Sequence, residues 1–106
     1  MIDAAIGESI RRLGLHGQDG DCGLAAIEIN ERVLGGRGIY VAALSAPLLE
    51  EGRFVGHVAV YYRGLYWDAG GELSFGELLG YGGSYPALVQ LSVGEVLAIH
   101  EQQWGA

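Results

Sequence analysis

The sequence predicts an α+β fold, in which helices pack against an antiparallel sheet. Residues 2–13 and 22–34 repeat apolar residues at the spacing of an α-helix. Residues 54–62 and 65–68 are rich in β-branched and aromatic residues and flank a short turn. Two later Ser-x-x-Glu sequences are typical of helix starts, because the two side chains cap each other's backbone. Helices and strands that alternate in this way favour a mixed fold.

The first two segments are predicted to be helices of different burial. Helix 2–13 is amphipathic and ends at Gly14. Helix 22–34 is apolar on two faces and ends at Gly35-Gly36, so we expect it to be central and largely buried.

The middle of the chain is predicted to be β-structure. Residues 38–45 form a strand or extended segment, and 46–52 a loop. Residues 54–62 have the strongest strand pattern, and Arg63-Gly64 turns the chain into an antiparallel partner at 65–68. Residues 69–71 are expected to end this hairpin, because they contain two consecutive glycines.

The last third of the chain is predicted to add two helices and one strand. Ser74 and Ser92, each followed three residues later by glutamate, place helices at about 75–80 and 93–103. Residues 87–91 form the strand between them.

Composition limits the classes of protein to which the chain can belong. Its 106 residues, half of them apolar, predict a single globular domain over residues 1–106. The net charge is −7, with six arginines and no lysine, which argues against a nucleic-acid partner. No apolar run approaches the roughly 20 residues that span a bilayer, and we expect no signal peptide and no membrane partner. A lone cysteine suits a reducing, cytoplasmic setting and excludes an internal disulfide or a cysteine-based metal cluster. We expect no metal and no cofactor.

Cys22 is the only cysteine, and it lies where a polar loop runs into the second helix. Asp21 is a good N-cap, which would put Cys22 in the first turn, where the helix dipole favours a thiolate over a thiol. We therefore expect its sulfur to be partly accessible. The alternative is that Cys22 simply packs in the core, as free cysteines usually do.

His57 and Asp68 are the residues most suited to assist a cysteine nucleophile. If Arg63-Gly64 is a two-residue turn, Ala59 pairs with Asp68, and His57 then lies diagonally from Asp68 on the same sheet face. A carboxylate there can orient the imidazole, and we expect His57 to face Cys22 as well. The alternative is a buried polar pair that only sets the strand register.

These motifs resemble the papain-like cysteine peptidases. The residues that carry the resemblance, within 18–70, are Asp21-Cys22-Gly23-Leu-Ala-Ala, then Gly56-His57-Val-Ala-Val-Tyr, then Tyr66-Trp-Asp68-Ala. They look most like the peptidase domains of bacteriocin exporters. The Asp-Gly-x-Cys loop also resembles ovarian-tumour-type deubiquitinases, and the Cys, His, Asp order is shared with transglutaminase-like domains.

The resemblance implies a compact papain-like fold, with Cys22 at the start of a central helix packed on an antiparallel sheet that carries His57 and Asp68. Papain-like enzymes usually have an oxyanion-hole glutamine six residues before the cysteine, but this chain has His16 there and Gln18 four residues before. Gln18 is the candidate oxyanion donor, with the backbone N–H groups of Asp21 and Cys22 as the alternative.

The functional hypothesis is thiol-dependent acyl transfer on a peptide or protein substrate through a Cys22-His57-Asp68 triad. Proteolysis, deamidation and transamidation are all compatible with these residues. Two alternatives remain: a non-enzymatic acidic binding or inhibitor module of the same fold, of bacterial, phage or mobile-element type, and a structural protein in which all three residues are core.

Overall fold

The computed structural model describes residues 2–14, 22–44, 55–81 and 87–104. The predicted loop at 46–52, Gln18, His16 and the Asp21 cap lie outside these ranges. In the described part of the chain, α1 (Ile2–Leu13), α2 (Cys22–Glu28), α3 (Phe75–Gly80) and α4 (Val93–Trp104) are α-helices. The strands are β1 (Ile39–Leu44), β2 (Val55–Tyr62), β3 (Leu65–Asp68), β4 (Gly71–Leu73) and β5 (Ala87–Leu91). The predicted α+β class is confirmed.

The five strands form one antiparallel sheet in the order β4-β3-β2-β1-β5. Its centre is the pair β1–β2, and β5 returns from the far end of the chain to lie beside β1. No helix in the described ranges combines the length and the apolarity that crossing a membrane requires.

Helices cover the two faces of the sheet unequally. One face packs against α1, α2 and α4, and its core includes Ile29, Val58, Val60 and Val96. The opposite face packs against the short helix α3, where Leu78 contacts a smaller cluster containing Ala43 and Ala59. Because side chains alternate along a strand, consecutive residues of β2 belong to different clusters.

Helix α2 continues beyond Glu28 as one π-helical turn, Ile29–Val33, in which the Leu34 N–H donates to the Ile29 carbonyl. The buried Asn30 side chain then binds both backbone groups of Gly38, accepting at 2.7 Å and donating at 3.2 Å. A Cβ added to Gly38 would lie only 2.3 Å from Val60, so only glycine allows β1 to begin this close to β2. These contacts hold the C-terminal end of the helix that begins at Cys22 against the start of β1.

The β2–β3 hairpin has the predicted register, with Tyr62 opposite Leu65 and Val60 opposite Trp67. Arg63 and Gly64 have φ values of 52° and 81°, which is the type I′ turn that matches strand twist.

One strand was not predicted. Residues 69–71 are expected only to break the hairpin, but Gly71, at φ 106°, instead lets the chain fold back as β4, paired with β3.

Candidate active site

Cys22 is the first residue of α2, as predicted. Helix α2 packs against β2 and β3. The expectation of an accessible sulfur is wrong, because Cys22 exposes only 4 % of its surface and belongs to the main core. The cause is close packing of the first turn: Gly23 lies so near α4 that an added Cβ would be 3.2 Å from Val96.

Asp68 holds His57 through a direct hydrogen bond. His57 Nε2 donates to Asp68 Oδ2 over 2.8 Å, which is the pairing that the hairpin register predicts. The other carboxylate oxygen, Oδ1, accepts from the Gly70 backbone N–H, also at 2.8 Å. Because both oxygens are engaged, the carboxylate is fixed in place and can in turn fix the imidazole.

Cys22 lies near enough to His57 to raise the pKa of the imidazole, both as a hydrogen-bonding group and as a negative charge. Because Nε2 is used by Asp68, the ring nitrogen left for the sulfur is Nδ1. The described structure therefore brings Cys22, His57 and Asp68 into one chain of contacts.

We expect His57 to lie on the sheet face that packs against α2, the Cys22 helix, but the structure places it on the other face. His57 pairs with Ala43 and alternates with Val58, so it projects from the face that α3 covers, whereas α2 packs on the Val58 face. At His57, strand β2 is paired with β1 on one side, and its pairing with β3 on the other side has already stopped at Val60.

The surroundings of His57 favour its charged form. Burial alone lowers the pKa of His57, but the hydrogen bonds to Asp68 and Cys22, together with the negative charges on both, raise it to about 9. The imidazolium is therefore the expected state at neutral pH.

A fourth side chain at the site was not predicted from the sequence. Tyr81, which follows α3, stacks on His57 with ring centroids 4.0 Å apart and planes inclined by 18°. His57 is 3 % exposed, while Tyr81 is 41 % exposed and borders an open depression of about 310 Å³ lined by Glu77, Gly80 and Tyr81. The only sequence signal is an aromatic residue directly after the capping-box helix.

No protein-family model, curated protein or solved structure matches this chain. Among the described residues, no group of three or more His, Cys, Asp or Glu side chains has an arrangement that could hold a metal ion. Gln18, the candidate oxyanion donor, lies outside the described residues, and its role remains a prediction.

Proposed function

We propose that the chain is a papain-like, cysteine-dependent acyl-transfer enzyme that acts on an amide bond of a peptide or protein in the cytoplasm. Cys22 is the nucleophile, His57 the general base and acid, and Asp68 orients His57. The observation that carries the proposal is the hydrogen bond from His57 to Asp68, together with a Cys22 close enough to raise the pKa of His57. A helix that begins at the cysteine and packs on an antiparallel sheet carrying the other two residues supports the papain-like comparison.

The reaction follows from the roles of these groups. The Cys22 thiolate attacks the substrate carbonyl carbon, and the imidazolium gives its proton to the leaving nitrogen as the C–N bond breaks. This leaves a thioester and a neutral His57. Water, activated by loss of a proton to His57, then cleaves the thioester and releases a carboxylic acid. An amine in place of water would make the reaction a transamidation, and a side-chain amide as substrate would make it a deamidation.

Gln18 is proposed to donate to the oxyanion that forms on the carbonyl oxygen, a contact that typically contributes about 10²–10³-fold in rate. Because Cys22 and His57 are both nearly fully buried, the reaction also requires the site to open to substrate.

The same burial favours a second candidate function, that of a non-enzymatic acidic binding module. In that case Cys22 is a packing residue, and the net charge of −7 recruits a basic partner. The two candidates differ in whether His57 controls the chemistry of the thiol.

Alkylation of Cys22 by iodoacetamide tests this difference, because it is the only thiol in the chain. Rates are measured from pH 5 to 10, and each variant is normalised to its own plateau at high pH. This normalisation separates the ionisation of the thiol from the access of iodoacetamide to it. An ordinary thiol, titrating near 8.5, would retain only ~1 % of its plateau rate at pH 6.5, and the urea-denatured chain provides that reference.

We expect wild type to keep a much larger fraction of its plateau rate at pH 6.5 than the denatured chain. His57→Ala should lose this advantage, and Asp68→Asn should lose part of it. Identical normalised curves for wild type and His57→Ala, or no alkylation of the folded chain at any pH, would remove the enzyme proposal and favour the binding module.

A further inference from the structure

Tyr81 is held in place by its own helix. The Ser74 hydroxyl accepts from the Glu77 N–H, and the Glu77 carboxylate accepts from the Ser74 N–H, which closes a capping box at the start of α3. Leu78, fully buried, anchors the helix to the sheet. The Tyr81 N–H donates to the Leu78 and Leu79 carbonyls, so the backbone of Tyr81 is fixed relative to β2.

Core packing alone does not explain the position of the Tyr81 ring. It is 41 % exposed and borders the open depression, yet its inner face lies flat against a histidine that is 3 % exposed. The ring therefore separates His57 from solvent on the α3 side.

We propose that Tyr81 is a positioning residue for His57: its stacked ring holds the imidazole in the plane that joins Asp68 to Cys22 and keeps water from the hydrogen bond between His57 and Asp68. This inference rests on the proposed function, since a position for His57 matters only if His57 acts on Cys22.

The physical reason is the freedom of an imidazole. Rotation about the bond to the ring is broad, and partners at the two ring nitrogens leave the ring able to tilt about the line that joins those nitrogens. A flat aromatic neighbour at 4.0 Å removes the tilt on one side. The face of a tyrosine ring also attracts a cation, so the stack stabilises the imidazolium form.

The test is the exchange of the His57 Nε2 proton with water, followed by NMR at pH 6 as a downfield imidazole resonance. Tyr81→Ala removes the ring, whereas Tyr81→Phe keeps it and should keep the His57 Nε2 proton protected from exchange with water. Phe75→Ala is the matched control, because Phe75 is an exposed aromatic residue of α3 whose ring lies 6.1 Å from that of Tyr66 in a tilted arrangement. Cys22 alkylation profiles are recorded on the same variants.

We expect exchange to be ~10-fold or more faster in Tyr81→Ala, with Tyr81→Phe and Phe75→Ala resembling wild type. The alkylation profile of Tyr81→Ala should move toward that of His57→Ala. If Tyr81→Ala does not fold, Tyr81→Leu, which keeps apolar volume without an aromatic face, takes its place. Unchanged proton exchange in folded Tyr81→Ala, or in folded Tyr81→Leu where that variant replaces it, overturns the positioning role. Faster exchange in a chain whose alkylation never depends on His57 instead overturns the proposed function.

Discussion

Replacing Asp68 with asparagine should destabilise the fold by an amount that depends strongly on pH. The substitution keeps the size and shape of the side chain but removes the negative charge that faces His57 Nε2 at 2.8 Å. The cost should be large where His57 is protonated and small where it is neutral. This dependence separates a charged contact from ordinary packing, which does not change with pH.

The magnitude follows from the pKa of His57, which is raised from 6.5 to about 9 in the folded chain. Each unit is worth about 1.36 kcal/mol, so this difference corresponds to ~3 kcal/mol of stability. A raised pKa in the folded state means that this stability is fully present below pH 6.5 and is lost as the pH rises through about 9. Asp68 and Cys22 both contribute to the shift, so Asp68→Asn should remove ~2 kcal/mol of it at pH 6.

The assay is urea denaturation of wild type and Asp68→Asn at intervals from pH 6 to 10. The difference in unfolding free energy between the two should shrink as the pH rises, since only the neutral hydrogen bond is then lost. His57→Gln is the control: Asp68→Asn in that background should show no such change between pH 6 and 10. A difference that is constant with pH, or an NMR titration of His57 near 6.5, would refute the reasoning.

Two further predictions concern the elements that position the site. Gly38→Ala should lower the free energy of unfolding by ~1–3 kcal/mol or more, because the added methyl would lie 2.3 Å from Val60. Gly7→Ala should not destabilise the fold, because its added methyl would make only an ordinary contact at 3.8 Å. Equal melting temperatures for the two variants would contradict the close approach of Gly38 to Val60. Ser74→Ala removes the capping box of α3, so it should lower the free energy of unfolding by ~0.5–2 kcal/mol and speed the exchange of the His57 Nε2 proton. Ser92→Ala breaks the equivalent capping box of α4. It should lower the free energy of unfolding by about as much but leave the His57 proton protected. Equal effects of both serine variants on the proton would show that α3 does not hold Tyr81 over His57.

Local patterns in the sequence determined the elements and one contact of the site. The bounds of α1, α3, β3 and β5 coincide with their predicted ranges. The hydrogen bond between His57 and Asp68 was predictable because a two-residue turn at Arg63-Gly64 sets the register of every later pair in the hairpin. These features depend on interactions between residues that are near in sequence.

Other features depend on residues far apart in the chain, which no local pattern encodes. The burial of Cys22 depends on α4, about seventy residues away, packing against Gly23. The proximity of His57 to Cys22 depends on the packing of α2 against β2, which lie about thirty residues apart in the chain. Tyr81 reaches His57 only because Leu78 anchors α3 to the face opposite α2. The sequence alone therefore determined which residues could form the proposed triad, and tertiary packing decided how deeply those residues are buried and what covers them.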